Sequence, residues 1–446
     1  MKNGDRDTIY LLGIGGIGMS ALARYYHSHD YQVAGYDRTP SPLSKQLESE
    51  GIAIHYEDDP NQLPSHIDFV IYTPAVPSNL HEFEALRQRG IPILKRSEAL
   101  GHISDRHFTI AIAGTHGKTT TTAMVAHILN SCGVDTTAFI GGIANNFNSN
   151  LLLGKGGNET LVAEADEFDR SFLRLHPDIS VINSIDEDHL DIYGDRKHLQ
   201  ESFNEFARLT KQTVIVKEGL DIQIPSKVTF GFGEQCDYMA STIASENGTS
   251  VFSIHFKGES VTVKLPMPGR HNILNATAAF AAVHATGIAP TNIAEALSTF
   301  KGVKRRFDIR VNNAQHCYID DYAHHPEEIR ACLTAIRESF AGKRITLVFQ
   351  PHLFSRTRDF MNEFASVLSL ADHLILLDIY PARELPIEGI TSKALLEKVQ
   401  ITEKEICQKA ELVQLIDSYK PELLVTMGAG DIDRFVEPIE KLIKSW

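Results

Sequence analysis

"HFTIAIAGTHGKTTTTAMVAHILNSCG", residues 107–133, decides how the chain is read. An apolar run ends at Ala113, a glycine loop follows, and the apolar residues then recur three and four apart. That pattern predicts a buried strand, a loop and an amphipathic helix. A standard phosphate-binding loop reads G-x-x-x-x-G-K-[ST]. Here Gly117-Lys118-Thr119 supplies the ending, but Ile112 stands where the first glycine belongs, and the nearest glycine upstream is Gly114. The loop is two residues short. The physical case for a phosphate does not need the standard spacing, because the loop still presents backbone N–H groups at an electropositive helix N-terminus. Gly114 and Gly117 let the backbone come close, Lys118 suits a β- or γ-phosphate, and the Thr119 hydroxyl suits Mg²⁺. A glycine turn before a threonine-capped helix is the plainer alternative; strand, G-x-x-G-K-T and helix in this order outweigh it.

Metal ligands are then expected at the ends of neighbouring strands. "TLVAEADEFDRSF" (160–172) ends an apolar run with Glu164, Asp166, Glu167 and Asp169, and "ISVINSIDEDHLDIYG" (179–194) ends another with Asp186, Glu187, Asp188, His189 and Asp191. Carboxylates and a neutral imidazole suit Mg²⁺ or Mn²⁺. Alone, each acidic cluster reads as a solvated loop; beside a phosphate loop the balance reverses.

Outward from this segment, strand and helix alternate through most of the chain. "TIYLLG" (8–13), "QVAGYD" (32–37) and "DFVIYTPAVP" (68–77) read as strands between helices, the rhythm of a parallel sheet. Residues 226–265 read instead as an antiparallel patch of short strands, and "GRHNILNATAAFAAVHATG" (269–287) as a long small-residue helix. A third α/β unit follows, with strands at "CYIDDYA", "RITLVFQ", "HLILLDIY" and "ELLVTMG". The expected domains are 1–104, 105–302 and 303–446. The opening "GIGGIG" is Gly13-x-Gly15-Gly16-x-Gly18 between strand and helix, with Asp37 about twenty residues on. This is a dinucleotide fingerprint, so an NAD-dependent dehydrogenase is one reading; the same cradle also suits the diphosphate of a UDP-sugar.

Composition narrows the classes. The chain has 446 residues, 43% hydrophobic and 22% charged, with a net charge of −14. Such a charge disfavours nucleic acid as a partner, and no apolar run is long enough for a membrane span. Five scattered cysteines with no C-x-x-C pair argue for a reducing cytoplasm rather than disulfides or a thiolate zinc site. The opening segment does not read as a signal peptide. Oligomeric state is open.

In order along the chain stand "GTHGKTTTT", "EADEFDRSFL", "NSIDEDHLDIY", "GRHNILNATAA", "KRRFD", "DDYAHHPEEI", "QPHLFSRTRD" and "GAGDI". Together they resemble the Mur ligases, over nearly the whole length and most closely in the alanine-adding branch; the short phosphate loop is the form that family uses. The resemblance implies three α/β domains: a Rossmann-like N-terminal domain for a UDP-sugar, a central P-loop domain for ATP, and a Rossmann-like C-terminal domain for the amino acid. It also implies that ATP activates the lactyl carboxylate of UDP-N-acetylmuramate as an acyl phosphate, which the amine of L-alanine attacks. Gly13, Gly15, Gly16, Gly18 and Asp37 would hold the UDP-sugar. Gly114, Thr115, His116, Gly117, Lys118, Thr119 and Thr120 would cradle the ATP phosphates. Thr119 and Glu164 would hold Mg²⁺, and His189 a second ion. His271, Asn272 and Asn275 match adenine-side contacts. Arg306 and Asp321 match groups that reach ATP from the third domain. Tyr322, His324, Arg356 and Arg358 match the amino-acid site, and Lys118, His189, Arg306 and His324 the catalytic set.

Two departures from the family pattern stand out. Asn204 occupies the place where many Mur ligases carry a carbamylated lysine, and Lys197 comes too early to replace it. The alanine-adding branch is like this, which supports that assignment but leaves the second Mg²⁺ with fewer ligands. Leu353 stands where an arginine is often found, which bears on how the amino-acid carboxylate is held. A tripeptide-adding ligase of peptidoglycan recycling is the nearest rival, and a plain P-loop ATPase or GTPase a more distant one.

Overall fold

The structure, a computed structural model, describes residues 6–77, 79–186, 193, 195–246, 248–382 and 384–446. Three sheets organise the chain. The first is formed by β1 (Thr8–Leu12), β2 (Gln32–Tyr36), β3 (Ala53–His55), β4 (Phe69–Tyr72) and β5 (Ile93–Lys95), in the order β3-β2-β1-β4-β5. All its pairings are parallel. Every residue of β1 is buried, as expected for the central strand of a sheet covered on both faces. Helix α1 (Ile17–Ser28) starts at the end of β1, so the Gly13–Gly18 loop lies where the strand order reverses, the usual ligand crevice of such sheets.

The second sheet comprises β6 (Phe108–Ala113), β7 (Thr136–Ala144), β8 (Ser149–Leu152), β9 (Thr160–Glu164), β10 (Ile179–Ile182), β11 (Thr213–Lys217), β12 (Val228–Gly231), β13 (Tyr238–Glu246), β14 (Thr249–Phe256) and β15 (Glu259–Leu265). Their order is β15-β14-β13-β12-β11-β10-β6-β9-β7-β8. β6 lies between β10 and β9, parallel to both. The ends of β9 and β10 therefore flank the phosphate loop. Helix α2 (Lys118–Ser131) leaves that loop, and every residue from Thr119 to Leu129 is buried. The expected amphipathic helix is a central one covered on all faces; its threonines and alanines fit tight packing where a polar stripe was anticipated.

The antiparallel patch expected at 226–265 also needs correction at its start. β12 pairs in parallel with β11 and β13. The hairpin character belongs to β14 and β15, joined by Lys257 and Gly258 with φ of 47° and 81°, a two-residue turn of the type that matches strand twist.

The third sheet contains β16 (Asp308–Asn312), β17 (Cys317–Asp321), β18 (Ile345–Phe349), β19 (His373–Leu376), β20 (Glu403–Ile406) and β21 (Leu423–Met427), ordered β16-β17-β21-β18-β19-β20. Only β16 runs antiparallel to its neighbour; the other pairings are parallel. Helix α3 (Arg270–His284) follows the central meander, and α4 (Pro326–Ser339) and α5 (Phe354–Asp359) follow β17 and β18. By internal packing the chain forms two compact units. One is Met1–Ala240 with Ile254–Val261 and Asn275–Leu297; the other is Ser241–Ser253, Thr262–Leu274 and Ser298–Trp446.

Candidate functional site

Within the first unit, two strand–loop–helix elements carry the expected phosphate sites. At the first, Gly13 (φ 81°) and Ile14 donate their amides to the Tyr36 carbonyl, which pulls the loop onto the end of β2. Asp37, the next residue, accepts from the Gly15 amide at 2.8 Å. A Cβ at Gly15 would lie 2.9 Å from the same carboxylate, and one at Gly18 would meet the Arg96 guanidinium. Arg96 in turn reaches Asp166 at 3.1 Å, and Lys95 reaches Asp169 at 2.9 Å. Neither basic residue was anticipated from sequence; they sit at the carboxyl end of β5, and only the fold brings them to the glycine loop.

At the second element, Gly114 has φ of 133° and Gly117 of 80°. Side chains rarely adopt these conformations, and space is short as well: a Cβ at Gly114 would lie 2.8 Å from the Ser184 amide nitrogen, and one at Gly117 2.4 Å from Asn275 Oδ1. Thr115 and His116 donate their amides to Ser184, to its carbonyl and its hydroxyl respectively. Asn275, expected on the adenine side, thus lies against the loop at Gly117. Thr120 is buried in the first turn of α2.

Lys118 donates to the Gly114 carbonyl at 2.6 Å and to both oxygens of Glu167 at 2.9 and 2.6 Å. The Glu167 side chain is 1% exposed. Burial works against the ammonium, but Glu167, Asp166 and Glu164 overcome it and raise the lysine above its ordinary range. The charge is therefore secure at neutral pH. Tyr193 donates to the Glu167 carbonyl at 2.5 Å and fixes the strand end from behind.

Thr119 donates to Glu164 Oε1 at 3.1 Å, and the other Glu164 oxygen accepts from the Gly141 amide at 2.8 Å. A hydroxyl and a carboxylate thus meet at the mouth of the loop, hard oxygen donors of the kind Mg²⁺ takes while keeping water and phosphate oxygens as its remaining ligands. The residues present fit that ion. His189 lies outside the described residues, as do Glu187, Asp188 and Asp191. Asp186 is described; it lies 3.3 Å from the Thr115 hydroxyl.

Within the second unit, the turn that carries Arg306 is forced: Arg305 and Phe307 have φ of 62° and 49°. It is held by Asp321, whose oxygens accept from the Phe307 amide at 2.6 Å and the Ala323 amide at 2.7 Å. Burial raises that carboxyl to about 6, against the pull of Arg306 and the two amides. Asp321 thereby braces the loops on either side of it. The Arg306 guanidinium lies 5.0 Å from the centre of the Tyr322 ring. His324 Nδ1 lies 3.0 Å from the Tyr322 carbonyl, which can only accept, so Nδ1 carries the proton and Nε2 is the basic nitrogen. Burial lowers this imidazole, as do Arg356 and Arg306, while Glu328 opposes the shift.

The remaining expected residues separate by their surroundings. Arg356 acts electrostatically on both His324 and His352. Arg358 is turned instead to Asp359, at 2.7 Å, with its side chain 53% exposed. Asn272 spends its amide on the Pro268 carbonyl at 2.7 Å. Burial lowers His271 to about 4. His352 is an addition: its ring stacks on Tyr380 at 5.7 Å and lies 6.1 Å from that of His324. It also follows a strand of a parallel sheet, the one signal in the sequence that could have singled it out.

Comparison with known proteins adds the following. The Mur ligase family catalytic domain matches residues 8–108, the Mur ligase middle domain 112–283, and the Mur ligase glutamate ligase domain 305–430. The UDP-N-acetylmuramate–L-alanine ligase of Cytophaga hutchinsonii is 49% identical, over 98% of this chain and 96% of its own. That of Flavobacterium psychrophilum is 48% identical over 97% of each. Among solved structures, the UDP-N-acetylmuramate-alanine ligase of Thermotoga maritima superposes with a TM-score of 0.87 at 30% identity, covering 98% of this chain and 99% of that one. A murein peptide ligase from Psychrobacter arcticus, at 24% identity and a TM-score of 0.73 over 99% of each chain, shares the fold.

Proposed function

The chain belongs to the Mur ligase family, and we propose that it joins L-alanine to the lactyl carboxylate of UDP-N-acetylmuramate at the expense of ATP, in the cytoplasm, as a step of peptidoglycan precursor synthesis. The observation that carries the chemistry is the convergence on one short loop of a charged Lys118, a Thr119–Glu164 oxygen pair and left-handed glycines. The full-length likeness to L-alanine ligases supports the choice of substrates over the tripeptide reading.

A carboxylate is a poor electrophile, and transfer of a phosphoryl group to it creates a leaving group. The loop amides and Lys118 hold the β- and γ-phosphates of ATP and take up charge as the terminal group moves; positioning and electrostatics supply most of the rate in such transfers. Thr119 and Glu164 would hold Mg²⁺, which would supply further charge neutralisation to the phosphates. The glycine loop at 13–18 receives the UDP diphosphate, with Asp37 toward a ribose hydroxyl. Arg306 supplies charge to the phosphoryl group, Arg356 receives the alanine carboxylate, and His324 Nε2, neutral at physiological pH, accepts a proton from the attacking amine. The chain breaks the acyl–phosphate bond and forms an amide, releasing inorganic phosphate.

The test is phosphate release from ATP with UDP-N-acetylmuramate, with and without L-alanine. Release that needs both, and a sugar nucleotide heavier by one alanyl unit, is expected. Release without the sugar would leave a plain ATPase, and a requirement for a tripeptide would overturn the substrate.

A further inference from the structure

The segment Gln350–Asp359 contains the departure at Leu353. Leu353 has φ of 71°, an uncommon conformation for a branched side chain that must be held from outside. The holding element is a second segment, Asp378–Ala382 with Glu384. Tyr380 donates its amide to the Pro351 carbonyl at 2.8 Å and accepts from the Leu353 amide at 2.9 Å. The His352 and Tyr380 rings stack across this bridge. The strap then turns back through Ala382, with φ of 49°, and the Glu384 amide closes on the Pro381 carbonyl at 2.8 Å.

Glu384 completes the junction. One carboxylate oxygen accepts from the Ser355 amide at 2.9 Å and the other from the Ser355 hydroxyl. Ser355 is the residue before Arg356, in the first turn of α5. That helix has six residues and no side-chain cap of its own, too short to hold a shape unaided. Burial opposes the charge on Glu384, but the Ser355 hydrogen bonds prevail and keep its carboxyl below the ordinary range, so the grip is ionised at neutral pH.

We propose that Glu384 is a positioning residue for amino-acid recognition: by gripping Ser355 it sets the direction from which Arg356 meets the carboxylate of the incoming amino acid. This rests on the ligase reading above. Leu353 contributes no charge, so the carboxylate depends on Arg356, and Arg356 depends on the clamp at its neighbour. The inference predicts a defect confined to one of three substrates.

The test uses the full chain with Glu384→Ala, Glu384→Gln and Glu384→Asp, each substrate varied in turn. For Glu384→Ala the KM for L-alanine should rise about tenfold, the scale of one charge-assisted hydrogen-bonding arrangement lost. The KM values for ATP and UDP-N-acetylmuramate should stay at wild-type levels, with kcat little changed. Glu384→Asp, which keeps the charge, should recover part of the loss, and Glu384→Gln less. An unchanged KM for L-alanine in Glu384→Ala would overturn the proposal, and so would a parallel rise of all three KM values with a fall in Tm. A wild-type chain that ligates no L-alanine would overturn the functional reading itself, a result recognisable before any variant is made.

Discussion

The glycine loops at 13–18 and 114–119 begin from the same device and finish differently. Each leaves a buried parallel strand, turns through glycine in a left-handed conformation and starts a helix, so each offers amides and a positive helix end to an anion. The first is answered by a carboxylate: Asp37 on the Gly15 amide. The second is answered by an ammonium, Lys118, locked to the buried Glu167. In the proposed reaction the carboxylate would select a sugar hydroxyl and leave the phosphates as a handle. An ammonium between phosphates takes up charge that moves. Backbone geometry suits both loops to an anion; in the function proposed above, the adjoining side chains separate the substrate that is gripped from the one that reacts.

The sharpest way to break this contrast is to remove the ammonium. Lys118→Ala should lower ligase turnover by at least about a hundredfold, the scale seen when a preorganised charge donor to a reacting group is removed. Because the substitution leaves Glu167 buried without its cation, Lys118→Ala/Glu167→Gln serves as the control: turnover should stay equally low while thermal stability returns toward wild type. Near wild-type turnover in either would mean that Lys118 does not serve the transferred phosphate.

Next in size is a backbone comparison. Gly114→Ala forces a side chain into φ of 133° and toward the Ser184 amide at 2.8 Å, and should cost about 2 kcal/mol in stability. Gly16→Ala should cost only a few tenths of that, since Gly16 has φ of −69° and its new Cβ would lie 3.4 Å from the nearest atom. Equal shifts in melting temperature would show that the two loops are not constrained as the geometry implies. Asp37→Asn is smaller still in its effect on the reaction. It keeps an acceptor for Gly15 but removes the charge, and should raise the KM for UDP-N-acetylmuramate about tenfold with kcat and the KM for ATP unchanged. A fall in kcat instead would assign Asp37 to the chemistry.

Much of this was legible in sequence because both loops announce themselves through glycine spacing after an apolar strand. What was not legible is how the acidic residues divide. "EADEFD" reads as one metal-binding cluster, yet Glu164 goes to Thr119, Glu167 to Lys118, Asp166 to Arg96 and Asp169 to Lys95. β9 ends at Glu164, and the chain then bends through Asp169 and Arg170 at φ of 52° and 55°. Strand alternation stops where the assignment would be needed, and the partners come from the end of β5, the residue after it and α2, none of them adjacent in sequence. Arg356 and Arg358 failed to separate for a similar reason: a two-residue step on a helix turns side chains apart, and only the structure shows Asp359 taking the second.

The last comparison concerns the two buried carboxyls behind the loops. Glu167 is paired with a cation, whereas Glu82 sits in a network without one. Tyr10 donates to it at 2.5 Å, the Asp59 amide at 3.2 Å, and His55 Nε2 lies at 2.7 Å. The His55 carbonyl accepts from the Asp37 amide, so this network lies directly behind the first loop's acid. Burial raises Glu82 from 4.5 to about 7, although the Tyr10 hydroxyl and the Asp59 amide oppose it. An acid whose folded pKa is raised stabilises the fold in its protonated form. Below pH 4.5 both states are protonated and the contribution is complete. As pH rises from 4.5 to 7 the unfolded chain releases the proton and the folded one keeps it, so stability is lost across that window and changes no further above it. The slope is at most about 1.4 kcal/mol per pH unit. Glu82→Gln, neutral throughout, should flatten this part of the pH dependence of the full chain's urea midpoint. Burial raises Glu167 too, against the pull of Lys118, but Glu167→Gln also strands the Lys118 ammonium, so it should lower the urea midpoint across the whole pH range rather than only flatten the curve. If both variants flattened the curve alike, the distinction between a neutral network behind the gripping loop and an ion pair behind the reactive one would fail.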